Sequence, residues 1–262
     1  RAAAARAGKP FFLYLPYTSP HKPVIPLEEF RGQGKAGAYG EFMIETDHHL
    51  GRILKWLDDE KLADNTMVIF TSDNGPETTW RERIKRFGHH SNGIYREGKR
   101  SVYEGGHRVP FIIRWPAQVK AGSQWNQPVC QTDLLATFAD MAGERLPANV
   151  GEDSISFYQV LRGVRENRVA PRVAMVHHGM HGRFALRERD WKLVMEDARR
   201  GKRELYDLAK DPGETTNVIA QHPEVAARLV AKLTVIVRNG RSSPGPVQKN
   251  DTPPWKELIW MR

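Results

Sequence analysis

Cysteine is nearly absent from this sequence, which has only Cys130 among 262 residues. A single thiol excludes an internal disulfide framework. Long apolar runs are also absent, so no segment reaches the roughly 20 residues needed to cross a bilayer and we expect no membrane span. The sequence lacks the aromatic-rich basic motif of known nucleic-acid modules, and a nucleic acid partner is therefore not expected.

Basic residues outnumber acidic ones, 40 against 31, which gives a net charge of +9 and a pI near 9.7. This excess favours anionic partners such as acidic polysaccharides, nucleic acids or anionic small molecules, and charge alone does not choose among them. With 40% hydrophobic residues the chain is long enough to bury a sizeable core in one large domain or one and a half.

The sequence begins inside a predicted element. Residues 1–10 (RAAAARAGKP) read as the end of a helix closed by glycine and proline, with no initiator methionine and no signal peptide. We therefore expect this chain to be the carboxyl-terminal part of a longer protein.

A short apolar run at residues 67–70 (MVIF) predicts a buried strand, and polar residues follow it. In open α/β sheets, binding groups gather beyond the carboxyl ends of the strands. The carboxylate of Asp73 and the amide oxygen of Asn74 are hard ligands, which suit calcium or magnesium better than zinc. An Asn-Gly pair after a strand also forms ordinary turns, and from these residues alone that alternative stays open.

Two further side chains are candidate catalytic groups. A second predicted strand at residues 11–15 (FFLYL) leads to His21, which lies between two prolines in a stiff loop. An imidazole held in this way can act as a general acid or bind an anion, although a lone loop histidine is more often only solvated. Lys99 lies near the end of a long basic loop predicted over residues 80–100, and an ammonium beside a metal and an imidazole would form an oxyanion pocket.

The rest of the sequence predicts regular elements. Helices are expected at about 39–62, at 133–142 with Thr132 as its cap and Leu135 facing inward, and at 223–239 before Gly240. Four short strands should form a small antiparallel sheet, at 173–176, 183–187, 191–194 and 204–206. The histidines at 177, 178 and 181 are interpreted as exposed turn residues, because no cysteine or acid is spaced to complete a zinc site.

Together, these residues resemble the sulfatase family of the alkaline-phosphatase-like superfamily, and in particular its arylsulfatase and N-acetylgalactosamine-6-sulfatase branch. The order and spacing of the matching segments make the resemblance specific, and it covers nearly the whole chain. The segments are 20–23 (PHKP), 71–77 (TSDNGPE), 98–110 (GKRSVYEGGHRVP), 131–137 (QTDLLAT), 204–208 (ELYDL) and 211–214 (DPGE).

The resemblance implies a role for each candidate residue. Asp73 and Asn74 would ligate a calcium ion, or magnesium in its place. His21 would contact the ester or its leaving group, and Lys99 would hold a sulfate oxygen. Three further side chains would contact the substrate: Arg100, His107 and His178.

The family nucleophile is a formylglycine made from the cysteine or serine of a Cys/Ser-x-Pro-x-Arg motif. Cys130 precedes Gln-Thr, and residues 242–246 (SSPGP) lack the arginine, so neither segment matches the motif. The resemblance therefore implies that the nucleophile and the remaining metal ligands lie upstream of Arg1. It also implies that a formylglycine-generating enzyme acts on the full-length protein, and that this chain alone is inactive.

The implied fold is α/β. A partial, largely parallel central sheet flanked by helices should occupy residues 1–165, a small antiparallel sheet with a helix should occupy 166–240, and an irregular tail should follow at 241–262. The implied function is hydrolysis of sulfate esters in sulfated carbohydrates or aryl sulfates, in the periplasm or outside the cell. Two alternatives stay open: a phosphate- or phosphonate-ester hydrolase of the same superfamily, and a non-catalytic sulfatase-like protein that binds anionic glycans.

Overall fold

A computed structural model describes the chain at residues 8–163, 172–196, 201–249 and 255–261. The chain divides into two compact units. The first unit consists of residues up to 93 together with 110–121, and the second consists of 94–109 together with the chain from residue 122 onward. Within the described ranges, no helix has both the length and the apolar character needed to cross a membrane.

The first unit contains two helices and two strands. Helix α1 (Ala38–Asp59) confirms the long amphipathic helix predicted from the spacing of its apolar residues, and its Leu57 is buried. The other elements are strand β1 (Val68–Thr71), helix α2 (Trp80–Phe87) and strand β2 (Phe111–Arg114), with a single 3₁₀ turn at Glu28–Phe30.

Strands β1 and β2 pair antiparallel, with Val68 opposite Arg114 and Thr71 opposite Phe111. The sequence predicted a largely parallel sheet here, and the only strand pair among the described residues of this unit has the other direction. An apolar run predicts a strand but not its direction, because side chains alternate in the same way in both kinds of pairing. All four residues of β1 are half-buried, not fully buried as predicted.

Residues 11–15 do not form the predicted strand. None of them is assigned to a strand, and the side chains of Phe12 and Tyr14 are each 75% exposed. Strand propensity alone cannot supply the hydrogen-bonded neighbour that a strand requires.

Helix α2 replaces the first part of the predicted basic loop. Gly88 ends it in the left-handed conformation, with φ 64°. Its buried residue is Arg83, whose guanidinium lies 3.8 Å from the ring centre of Tyr39 and donates to Ser91 Oγ at 2.8 Å. A cation–π contact of this kind leaves no apolar periodicity in the sequence, which is why the helix was not predicted.

The second unit contains the small antiparallel sheet and the last long helix, as predicted. The four strands pair in sequence order, and helix α6 starts with proline at its first turn and ends before Gly240 in the left-handed conformation. The strands are β3 (Ala174–His178), β4 (Phe184–Glu188), β5 (Trp191–Val194) and β6 (Glu204–Asp207); the helices are α3 (Glu104–His107), α4 (Asp133–Ala142), α5 (Tyr158–Leu161) and α6 (Pro223–Asn239).

The core of this unit forms between the sheet and α6. Leu229 and Leu233 lie one helical turn apart and are fully buried, and the sheet presents equally buried leucines to the same cluster, namely Leu186, Leu193 and Leu205. Each fully buried leucine contributes roughly 2 kcal/mol of transfer free energy, so this cluster stabilises the unit strongly.

Helix α4 is held by buried polar groups instead of a leucine stripe. Asp133 and Thr137 are buried, whereas Leu135 is 47% exposed, so the prediction that Leu135 faces inward is wrong. The Thr132 hydroxyl donates to the carbonyl of Asp153 and does not cap the helix. The carboxylate of Asp133 instead accepts hydrogen bonds from Arg172 at 2.5 and 3.1 Å.

This buried ion pair also explains why the predicted domain boundary at residues 165/166 differs from the observed division. Arg172 precedes β3, and Asp133 begins α4, so the pair ties the segment after residue 122 to the carboxyl-terminal sheet. A buried carboxylate needs a compensating cation, and that partner lies 39 residues away along the chain.

Two glycines in α3 permit a close approach of another stretch of backbone. A Cβ atom on Gly105 would clash with the carbonyl oxygen of Glu97, and one on Gly106 would lie 2.5 Å from the carbonyl oxygen of Ser101. The turn that carries Lys99 therefore packs directly against the backbone of α3.

We predict that Gly105→Ala lowers the free energy of unfolding by about 3 kcal/mol, because backbone atoms must move to accommodate the methyl group. Gly51→Ala is the matched control: Gly51 lies in helix α1, and a Cβ atom there would meet no other atom within 4 Å, so alanine should stabilise the helix by up to about 1 kcal/mol. Urea denaturation measures both variants, and equal effects of the two substitutions would contradict the packing argument.

Candidate functional site

The predicted metal-ligating residues lie in the turn after β1, in the first unit. Asp73 is exposed and Asn74 is half-buried. The Ser72 hydroxyl donates to the carbonyl of Asn74 at 3.0 Å, and the side-chain nitrogen of Asn74 donates to the carbonyl of Gly75 at 2.9 Å. The second bond occupies the amide nitrogen, so the ligand atom that Asn74 can offer to a cation is Oδ1.

The ligand atoms of this turn are of the type that a hard cation prefers, but they are too few to hold one. A carboxylate and an amide oxygen are calcium- and magnesium-type ligands, and calcium takes about six to eight oxygens. Within the described part of the chain, no group of three or more His, Cys, Asp or Glu side chains is placed to hold a metal ion. A calcium or magnesium ion at this turn would therefore need further oxygen ligands besides Asp73 and Asn74.

His21 is exposed in the loop before the first 3₁₀ turn. Its backbone nitrogen donates to the carbonyl of Thr18 at 2.9 Å, and its ring Nδ1 lies 2.8 Å from the carbonyl oxygen of Lys22. A carbonyl only accepts hydrogen bonds, so this contact assigns the proton to Nδ1 and leaves Nε2 as the nitrogen that can exchange a proton with a ligand.

Lys99 and Arg100 lie in the second unit, in the turn before α3. Lys99 is half-buried, and no carboxylate of the described residues pairs with it. Arg100 is exposed, has φ 77°, and its carbonyl accepts from the backbone nitrogen of Met180 at 3.0 Å. This bond connects the turn to the hairpin between β3 and β4.

The seven predicted residues thus divide between the two units. The first unit holds His21, Asp73 and Asn74, and the second holds the candidate cations and the substrate contacts, namely Lys99, Arg100, His107 and His178.

A buried charge cluster includes Glu104, the first residue of helix α3, which follows the turn of Lys99 and Arg100. Lys192 Nζ lies 3.0 Å from Glu104 Oε1 and 3.1 Å from Glu214 Oε1, and all three side chains are almost completely buried. Arg187 Nη1 donates to the other oxygen of Glu104 at 2.8 Å. Burial disfavours ionisation of Glu104, but Lys192 and Arg187 outweigh it and lower the pKa of that carboxyl. Burial wins at Glu214 and raises its pKa.

Sequence reasoning did not single out this cluster. Its one local signal is a lysine in the middle of the apolar strand β5 (Trp191–Val194), where an unpaired charge would be costly. The partners are separated from it by 88 residues in the case of Glu104, so their pairing leaves no mark in the local sequence.

His107 stacks on His177, with ring centres 4.4 Å apart and an angle of 23° between the planes. Burial, followed by the charge of Lys192, lowers the pKa of His107 to about 4, and the same causes lower the pKa of His177. Nε2 of His107 and Nδ1 of His177 are buried without a hydrogen-bond partner among the described residues. This position favours packing inside the unit over the substrate contact that the resemblance implies for His107.

His178 has a different environment from its neighbour in sequence. Its ring lies 4.4 Å from that of Phe184 and 4.7 Å from that of Trp255, and it lines a cleft with a volume of about 460 Å³. Partial burial lowers the pKa of His178, which favours the neutral ring at pH 7. Among the predicted substrate contacts, His178 lines this cleft.

Comparison with solved structures gives the class of protein first. A structure described under the metabolism of multiple glycosaminoglycans by Bacteroides thetaiotaomicron matches with a TM-score of 0.77 and 33% identity, covering 90% of this chain and 53% of that one. A sulfatase from Pseudoalteromonas sp. matches with a TM-score of 0.76 and 25% identity over 90% of this chain and 49% of that chain. The fold is the alkaline-phosphatase-like α/β fold.

The sequence comparisons then give the family. The sulfatase family model matches residues 1–144, and the model for the carboxyl-terminal region of N-sulphoglucosamine sulphohydrolase matches residues 92–239. The N-acetylgalactosamine-6-O-sulfatase of Bacteroides thetaiotaomicron is 36% identical over 84% of this chain, and human arylsulfatase A is 32% identical over 83%. The chain belongs to the sulfatase family. It spans 46% of the length of each of these two relatives.

We predict that Lys192→Met lowers the free energy of unfolding by about 3–5 kcal/mol, because two buried carboxylates lose their shared cation. Lys210→Met is the matched control: its side chain is 85% exposed and pairs with Asp207 at 3.4 Å, a contact worth less than about 1 kcal/mol. Thermal and urea unfolding measure the difference. If Lys192→Met lowered the free energy of unfolding by as little as Lys210→Met, the buried cluster would not stabilise the fold.

The stacked histidines predict sensitivity to acid. In the unfolded chain the pKa of His107 returns to about 6.5, so the folded state binds fewer protons between pH 6.5 and 4. The contribution of the neutral His107 ring to the free energy of unfolding is fully present above pH 6.5. It is lost as the pH drops towards 4, which lowers the free energy of unfolding by about 3 kcal/mol. His107→Phe should flatten the pH dependence of the unfolding free energy over this range. A pH dependence as steep in His107→Phe as in the wild type would contradict this prediction.

Proposed function

We propose that this chain forms part of a sulfuric ester hydrolase that acts on sulfated sugars. The observation that carries the proposal is the match of His21, Asp73, Asn74 and Lys99 to the sulfatase motifs, in a chain 36% identical to an N-acetylgalactosamine-6-O-sulfatase. Because the chain spans about half of that relative, the activity is proposed for the full-length protein.

Sulfate-ester hydrolysis requires neutralisation of the charge on the sulfuryl oxygens. Asp73 and Asn74 would hold calcium, or magnesium in its place, and a cation bound there supplies positive charge that stabilises those oxygens. Lys99 would hold a further sulfate oxygen. Its ammonium is half-buried and unpaired with any described carboxylate, so its charge is available to an anion.

His21 would give a proton to the departing oxygen. Nδ1 donates to the carbonyl of Lys22 and orients the ring, so a His21 that is protonated on both nitrogens would deliver its second proton from Nε2 and keep the one on Nδ1. The sequence contains no Cys/Ser-x-Pro-x-Arg motif, so no residue of this chain is assigned as the nucleophile. A formylglycine elsewhere in the full-length protein, and an enzyme that generates it, are part of the proposal.

One structural match favours a second candidate function. The phosphonate monoester hydrolase of Agrobacterium radiobacter matches with a TM-score of 0.57 and 25% identity over 76% of this chain. Phosphonate and phosphate esters need the same neutralisation of oxygen charge as sulfate esters. Hydrolysis of these esters is therefore the alternative that the experiment must separate.

We predict that Asp73→Ala and Lys99→Ala each lower kcat/KM for sulfate-ester hydrolysis by about 10²-fold or more, because each removes charge stabilisation from the transition state. The experiment uses the full-length protein co-produced with a formylglycine-generating enzyme. Its substrates are N-acetylgalactosamine 6-sulfate, a chromogenic aryl sulfate, and a phosphate and a phosphonate monoester.

The matched controls are Asp47→Ala, an exposed carboxylate on α1, and Lys210→Ala, an exposed lysine of the second unit. Both should keep wild-type kcat/KM. Turnover of phosphate or phosphonate esters without sulfate release would support the alternative hydrolase. Binding of the sulfated sugar without turnover of any ester would identify a non-catalytic glycan-binding protein.

A further inference from the structure

A cleft in the second unit contains side chains that the proposed reaction does not use. The hairpin turn between β3 and β4 forms one wall, and the segment that starts at Trp255 forms the other. Its volume of about 460 Å³ lies in the range of small-ligand sites and exceeds the need of a single ion.

Trp255 offers the cleft a flat apolar surface. Its indole is held against the rings of His178 and Phe184, with centres 4.7 and 6.3 Å away, and 48% of the residue is still exposed. An indole that contacts two other rings and stays 48% exposed can offer apolar ring surface to the C–H face of a pyranose ring.

Glu257 places a carboxylate beside this surface, and the hairpin is shaped to admit it. Gly182 has φ 81°, and a Cβ atom there would clash with the Cγ and Cδ atoms of Glu257. The side chain of Glu257 is 20% exposed, and its ion pair with the exposed Lys256 is 4.0 Å long. Such a pair is weak, so the carboxylate oxygens can accept hydrogen bonds from ligand hydroxyls.

The charge of the cleft is opposite to that of the chain as a whole. The described residues that line it include one carboxylate and neither lysine nor arginine, although the chain carries a net charge of +9. A sulfate or uronate group placed here would meet the carboxylate of Glu257, and the cation paired with it, Lys256, is 87% exposed and lies 4.0 Å away, so water screens most of its charge. The cleft therefore favours a ligand that has hydroxyl groups and no charge.

We propose that this cleft binds an uncharged sugar ring, which stacks on Trp255 and donates hydroxyl hydrogen bonds to Glu257. The inference rests on the proposed function in taking carbohydrate as the ligand class. It goes beyond that function by assigning a separate subsite for a residue of the glycan that carries neither sulfate nor carboxylate.

The test measures binding to the full-length protein by tryptophan fluorescence and titration calorimetry. The neutral probe is N-acetyllactosamine, and the charged probe is glucuronate, which carries a carboxylate but no sulfate ester. The wild type should bind the neutral sugar at least 10-fold more tightly than glucuronate. Trp255→Ala should weaken binding of N-acetyllactosamine at least 10-fold, because the stacking surface is lost.

Glu257→Gln keeps the shape of the cleft and removes its charge. This substitution should weaken binding of the neutral sugar and strengthen binding of glucuronate. A merely structural role of Glu257 would not produce these opposite changes. Trp56→Ala is the matched control, since Trp56 is 39% exposed on α1 in the other unit, and it should leave both affinities unchanged.

Equal affinity of wild type and Trp255→Ala for N-acetyllactosamine would overturn the proposal. So would glucuronate binding as tight as that of the neutral sugar. Because both readouts are binding constants, they are independent of turnover. A protein that hydrolyses sulfate esters but does not bind N-acetyllactosamine refutes only the subsite, and one that binds the sugar without hydrolysis refutes only the proposed reaction.

Discussion

The sharing of one buried ammonium between two buried carboxylates is the constraint on which the second unit depends. Lys192 comes from the sheet, Glu104 from the short helix α3, and Glu214 from the turn after β6, so one ion cluster fixes three separate parts of the chain. None of the three can be buried alone without a large desolvation cost, so they must assemble together. Lys99 lies five residues before Glu104, and the packed glycines of α3 support its turn. The cluster thus holds a candidate catalytic cation in place without touching it.

The parts of the fold that could be predicted from sequence are those with a local signature. Strand β5 (Trp191–Val194) and helix α6 (Pro223–Asn239) follow from alternation, four-residue spacing and terminal proline or glycine, and the structure confirms them. Helix α2 (Trp80–Phe87) could not be predicted in this way, because its buried contact is a guanidinium on a distant tyrosine ring. The opposite error occurs at residues 11–15. These residues favour strands and a strand was predicted there, but the structure assigns none.

The candidate site shows the same division between local and distant information. Asp73 and Asn74 could be proposed from the sequence because both ligand types stand next to each other at the end of one strand. Their oxygen chemistry is readable without a structure. The charge cluster behind Lys99 and the cleft beside Trp255 depend on pairs of residues far apart in sequence, and only the fold brings these together. The proposed ester site with its cationic side chains and the proposed neutral-sugar subsite would together give the full-length protein two complementary kinds of sugar recognition.

The stacked imidazoles of His107 and His177 also bear on how the protein behaves when bound to a polymer. A sulfated polysaccharide concentrates cations, including protons, in the layer of water around it, so the local acidity there exceeds that of the surrounding solution. A protein that attaches to such a surface experiences this layer and not the bulk solution. Because burial lowers the pKa of both rings in the folded state, attachment of the proposed hydrolase to such a polymer would narrow the pH range over which it stays folded, and salt that screens the polymer's charge would widen that range again.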